Sequence, residues 1–152
     1  MHRLQTDHWF SFAATLAPPE VIGPVAEGIR VNFWLTGGEA RGPRIHGKLR
    51  AEGADFFTLR TDGVGVLSVR TVIETHDGAL IDLAYEGLSD LGRDAYARFL
   101  AGDLPQRLEL RMQPRLRSAH PAYADLARRL YVGVGVGQID ALSVSYDVYA
   151  IV

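Results

Sequence analysis

The 152-residue sequence predicts a mainly β protein: a single antiparallel β-barrel of about eight to ten strands with one or two short helices. Three observations carry that prediction. Apolar and polar residues alternate with period two in segment after segment, the mark of strands with one buried face. Asp-Gly pairs, which accept the positive φ of tight hairpins, stand between those segments, so successive strands pair antiparallel. So many strands laid flat would leave exposed edges, and closing the sheet into a barrel removes them.

The elements follow in chain order. Phe10 to Leu16 opens the series. From Ile29 to Leu35 the odd positions Ile29, Val31, Phe33 and Leu35 face one way, against Arg30, Asn32, Trp34 and Thr36. Gly37-Gly38 then reads as a wider turn. Ile45, Gly47 and Leu49 alternate with Arg44, His46 and Lys48, and Asp55 to Arg60 forms the next strand before the Asp62-Gly63 turn. Leu67, Val69, Thr71 and Ile73 alternate with Ser68, Arg70, Val72 and Glu74. The Asp77-Gly78 turn leads to Ile81, Leu83 and Tyr85 against Asp82, Ala84 and Glu86. Ser89 or Asp90 can cap a helix whose Leu91, Ala95 and Phe99 share a face and whose end falls at Gly102. Leu108, Leu110 and Met112 resume the alternation against Arg107, Glu109 and Arg111. A second short helix spans His120 to Arg129, with Pro121 in its first turn and Tyr123 and Leu126 on one side. The strands Leu130 to Val136 and Leu142 to Val148 complete about nine in all.

Composition bounds the function. At 16.7 kDa, residues 1–152 form one domain around one core. Hydrophobic residues make up 47% and charged residues 22%, a globular balance. The net charge of −2 draws the chain to neither nucleic acid nor an anionic membrane. Zero cysteines exclude disulfides and thiolate chemistry, and MHRLQTDHWF has no signal-like apolar run, so the expected compartment is the cytoplasm. His2, His8, His46, His76 and His120 fall at no metal-ligand spacing, so neither a metal nor another cofactor is expected. No serine lies in a G-x-S-x-G elbow, which leaves a hydrolase triad without support. Gly133, Gly135 and Gly137 alternate within a strand with no helix after them, so they are not a phosphate loop; a bare strand face suits tight packing or a homo-oligomer contact.

The landmarks Gly37-Gly38, Gly42-Pro43, Ala54-Asp55, Asp62-Gly63, Arg70 and Asp77-Gly78 fall in one order along the middle of the chain. With the stretches GGEARGPRIHGKLRAEGADFFTLRTDG and HDGALIDLAYEGL, that order resembles the family known as domain of unknown function 3237, from about Phe10 to the C-terminus. Asp55, Arg70 and Tyr85 match the family pattern. Phe56, Ser68, Thr71, Leu116, Arg117, Asp125 and Ala127 depart from it. The resemblance implies a barrel and assigns no activity.

Asp55 and Arg70, on separate strands, are the candidate catalytic pair. An Asp beside an Arg stays ionised and can deprotonate or orient a substrate, while the Arg holds a carboxylate or an enolate-like oxygen. The structural alternative is an architectural ion pair. Tyr85 and Tyr123 are candidate phenolic donors, and Trp34 and Phe56, from the early aromatic cluster, candidate apolar contacts with a ligand. The first expectation is therefore a cofactor-independent lyase or isomerase acting on a small carboxylate or carbonyl compound. A lipocalin-like carrier of an apolar metabolite, or an assembly protein pairing through strand edges or the glycine-rich strand, are the alternatives.

Overall fold

A computed structural model describes residues 1–152. Ten strands form one antiparallel sheet: β1 Thr6–Leu16, β2 Glu20–Val25, β3 Gly28–Arg41, β4 Gly47–Leu49, β5 Ala54–Leu59, β6 Val64–Thr75, β7 Leu80–Asp90, β8 Arg107–Arg117, β9 Tyr131–Gln138 and β10 Ser143–Ile151. Helix α1 spans Ala95–Leu100, and a 3-10 helix spans Pro121–Arg128.

The sheet closes as an eight-strand barrel because β1 pairs with β10 on one side and with the second half of β3 on the other. Two ring positions are occupied by interrupted strands. β1 and then β2 run along the same edge of β3, and β4 and then β5 run along its opposite edge. β3 is long enough to serve all four. β2 is paired only to β3, which makes it the one free edge, and its Pro24 withholds a backbone donor there.

The mainly β reading and the barrel stand, with three corrections. The sequence reading missed β2, because its EVIGPV carries Gly23 and Pro24, residues that signal a turn. Gly37-Gly38 is no turn: both residues lie inside β3, Gly37 at φ +140° and Gly38 so close to the Ala13 carbonyl of β1 that a Cβ would collide with it. The helix expected from Ser89 begins only at Ala95, because β7 continues through Asp90. The turns at Gly63 and Gly78 and the helix end at Gly102 fall where expected, each glycine at positive φ.

The alternating apolar residues point inward and build one core of 30 buried residues. Arg70, Glu74, Glu86, Glu109 and Arg111 lie on the exposed outer wall. One barrel end is closed by the 3-10 helix and by Trp9, whose ring packs edge-on to Tyr131 and meets the guanidinium groups of Arg44 and Arg129 at 5.4 and 5.3 Å. The other end is closed by α1, the segment Leu104-Pro105 and Ile139.

Candidate functional site

The interior holds one carboxylate. Asp55 shares parity with Phe57 and Leu59 on β5, so it points inward with them. The ladder between β5 and β6 is interrupted between the pairs Asp55↔Val69 and Thr58↔Val66. Beside that interruption the Asp55 carboxylate accepts a hydrogen bond from the Ser68 N–H at 3.0 Å. What surface Asp55 retains faces a cavity of about 40 Å³, lined otherwise by apolar groups such as Leu67, Val69 and Leu110, with Tyr85, Tyr146 and Ser143 as the remaining polar side chains. Burial raises the Asp55 pKa from 3.8 to about 7, although the Ser68 hydrogen bond and the charge of Arg30 both oppose the shift. Desolvation of the carboxylate therefore outweighs the two favourable interactions.

Two phenols face this carboxylate. The rings of Tyr85 on β7 and Tyr146 on β10 meet edge to face at 5.4 Å, and Phe12 packs against both. The Tyr146 hydroxyl is buried and makes no hydrogen bond of good geometry in the protein; the Tyr85 hydroxyl lies near enough to interact with it. A buried hydroxyl so poorly satisfied is unusual, since nearly all buried polar groups are well paired. Burial raises both phenol pKa values; Tyr146 and then the Asp55 charge add to the effect at Tyr85, and the Asp55 charge adds to it at Tyr146, so both remain O–H donors near neutral pH.

Tyr146 fits inside because β9 presents glycine to it. Gly133, Gly135 and Gly137 face inward, and a Cβ on Gly135 would fall on the Tyr146 ring and the Ser145 carbonyl. Of the readings given to the glycine stripe, tight packing inside the barrel is the one the geometry matches.

The structure does not bring Asp55 and Arg70 together. Antiparallel register pairs Ala54 with Arg70 and Asp55 with Val69, so Asp55 points inward while Arg70 is exposed outside. Arg30, outside on β3 and bonded to the Phe56 carbonyl at 3.4 Å, is the cation whose charge reaches Asp55. Tyr85 is in the cavity. Tyr123 is at the far end, where its hydroxyl donates to Asp77 at 2.9 Å and pins the 3-10 helix to the β6–β7 turn. Hydrogen bonds from Thr75 and then Tyr123 hold the Asp77 carboxyl below its ordinary pKa. Trp34 and Phe56 pack edge to face on the outer wall, 43% and 37% exposed, and line no interior space. Tyr146 was missed, because the alternation of β10 marks it only as a core position; its partner across the ladder, Gly135, was the available sign of an aromatic needing room.

A larger recess of about 430 Å³ lies on the outer wall, beside Ser11, Glu39, Arg41, Glu109 and Asp147. It is open to solvent and its charged side chains are exposed. Ser11 donates to Asp147 at 2.5 Å and meets His8 at 2.9 Å, so the serine stands between histidine and aspartate, the wrong order for a hydrolytic relay. The interior cavity is the candidate site.

A closed antiparallel barrel enclosing one carboxylate and two phenols in apolar lining is the class of protein that this fold and cavity define. The chain belongs to the family described as protein of unknown function DUF3237, whose model matches residues 4–151. It is 27% identical over 139 residues to a UPF0311 protein of Rhodopseudomonas palustris (strain TIE-1), covering 90% of this chain and 91% of that one. The crystal structure of the conserved protein of unknown function RPA1785 from Rhodopseudomonas palustris superposes with a TM-score of 0.87 at 26% identity, over 100% of both chains. An enzyme from Penicillium herquei matches with a TM-score of 0.73 at 18% identity, over 100% of this chain and 97% of that one, a likeness of fold alone.

Proposed function

We propose that the barrel interior binds a small neutral carbonyl compound and that Asp55 moves a proton at the carbon beside the carbonyl, without a cofactor. The observation that supports this most is the position of Asp55 in an apolar cavity that it shares with the buried phenol of Tyr146, whose hydroxyl makes no hydrogen bond of good geometry. No cation lines the cavity, so of the carboxylate and carbonyl substrates expected from the sequence the neutral carbonyl is the one its electrostatics favour.

In the proposed reaction the Asp55 carboxylate takes the proton. The C–H electron pair becomes the C=C bond of an enolate, and the carbonyl π pair moves to oxygen, which accepts a hydrogen bond from the Tyr146 O–H. The Asp55 carboxylic acid then returns the proton to the same carbon, or to a conjugated one, which is an isomerisation. A base with a pKa of about 7 is well matched to this task near neutrality. Tyr146, kept neutral by burial, contributes as a donor. Zero cysteines sit well with a cytoplasmic enzyme of this kind.

The test is exchange of the α-protons of butanone for deuterium in D2O, followed by NMR. Exchange should accelerate as pH rises through about 7 and level off above it. Asp55→Asn should lower the rate by at least ~100-fold, the usual range for losing a general base. Exchange no faster than in buffer, or undiminished in Asp55→Asn, would sink the proposal. The carrier reading is favoured by a second void under α1, which has no polar side chain; it predicts ketone binding with no exchange.

A further inference from the structure

A second void of about 50 Å³ adjoins the Asp55 cavity. Phe33, Phe57, Leu108 and Ile139 line both spaces, and Phe33 and Phe57 meet edge to face at 6.0 Å in the partition. The two rooms differ in chemistry. The first contains Asp55, Tyr85, Tyr146 and Ser143. The second is walled entirely by apolar side chains and two prolines. The first holds roughly three waters, and ligand pockets span ~300–1,000 Å³, so an organic ligand enters only if the partition moves. The wall over the second void is the part of the molecule best able to yield. α1 has six residues, Ala95 is its one buried residue, and its Asp94 N-cap makes no side-chain hydrogen bond. A helix that short depends on tertiary packing, and here that packing rests on Ala95 with the half-buried Tyr96 and Phe99.

Resting on the proposed function above, we infer that the two voids are the ends of one ligand site, whose occupant is elongated: a neutral carbonyl head beside Asp55 and Tyr146 and an unbranched apolar tail under α1. The Phe33–Phe57 pair is the gate between them. A ligand bearing a head alone would leave the second void dry and its burial free energy unused; a ligand bearing a tail alone would leave the Tyr146 hydroxyl with no acceptor of good geometry. The class that satisfies both rooms is a long-chain ketone or a compound with the same division.

The experiment is calorimetric titration with methyl ketones of increasing chain length, from butanone to decanone. Affinity should rise about fourfold per added CH₂, the equivalent of burying each methylene, and level off once the second void is filled. Ala95→Leu, which fills the second void, should bring the plateau to shorter chains. Phe99→Trp should do the same from one turn further along the same face of the helix, and serves if Ala95→Leu fails to fold. Butanone binding with no gain along the series, or an unchanged plateau in both variants, would overturn the elongated-ligand inference and leave the proposed function standing. Failure of every ketone to bind, together with absent α-proton exchange, would overturn both.

Discussion

Asp55 ties the stability of this protein to pH in a direction opposite to that of most carboxylates. Below its unfolded pKa of 3.8 the carboxyl is protonated in both states, and folding is indifferent to it. Between 3.8 and about 7 the unfolded chain releases that proton while the folded chain retains it, so stability falls as pH rises through the window. Above about 7 the penalty is constant, a few kcal/mol for a shift of this size. Asp55→Asn keeps an oxygen to accept the Ser68 N–H and removes the charge. The variant should therefore melt with the wild type near pH 4 and increasingly above it up to pH 8. A constant difference across that range would mean that Asp55 titrates normally. The residue's importance was legible only through family resemblance, yet the failure of Arg70 to join it was legible from parity. A register that pairs Ala54 with Arg70 puts position 55 on the opposite face, and alternation had already placed Arg70 among the polar positions.

At the scale of elements, the glycine stripe of β9 grades its own substitutions. A Cβ on Gly135 meets a ring and a backbone carbonyl, neither of which can withdraw, whereas one on Gly137 would sit 3.5 Å from Leu108 and 3.6 Å from Leu110, in ordinary contact. Gly135→Ala should therefore lower stability by about 2 kcal/mol or more, and Gly137→Ala by less than about 1 kcal/mol. Equal losses in thermal unfolding would show that the ring of Tyr146 is not what demands the glycine. Gly137 also lines the Asp55 cavity, so its alanine variant should fold normally and bind butanone more weakly. At the other barrel end, Tyr123→Phe should cost about 1 kcal/mol, the worth of the hydrogen bond to Asp77, and leave α-proton exchange untouched. Alternation and turn chemistry placed nine strands from sequence because each is a local signal. β2 and the interior course of Gly37-Gly38 escaped because they are decided by close approach to another strand, and glycine carries the same letter in either use.

At the scale of the whole molecule, closure makes the barrel a single cooperative object. β1 supplies the closing pair on both sides, to β10 with Thr6 opposite Ile151 and to β3 with Ser11 opposite Arg41, so the two chain ends lie side by side in the wall. No arc of the ring keeps both its edges paired if another arc melts, and the core runs continuously from Trp9 at one end to Phe57 near the other. Partial unfolding would expose strand edges and core together, which favours an all-or-none transition. The two tryptophans report on this from different places: Trp9 is buried beside Arg44 and Arg129 at the 3-10 helix end, and Trp34 stands on the outer wall of β3 close to β2. In urea, Trp34→Phe leaves Trp9 as the fluorescence probe and Trp9→Phe leaves Trp34. Within each variant the fluorescence midpoint should coincide with the far-ultraviolet circular dichroism midpoint. Trp9→Phe should move both of its midpoints down together, because it removes buried ring area and weakens two cation contacts, while Trp34→Phe should hardly move either. A Trp34 signal that melts ahead of the dichroism would show that β2 and its neighbours on β3 open independently of the ring, and that the free edge, rather than α1, is the way into the barrel.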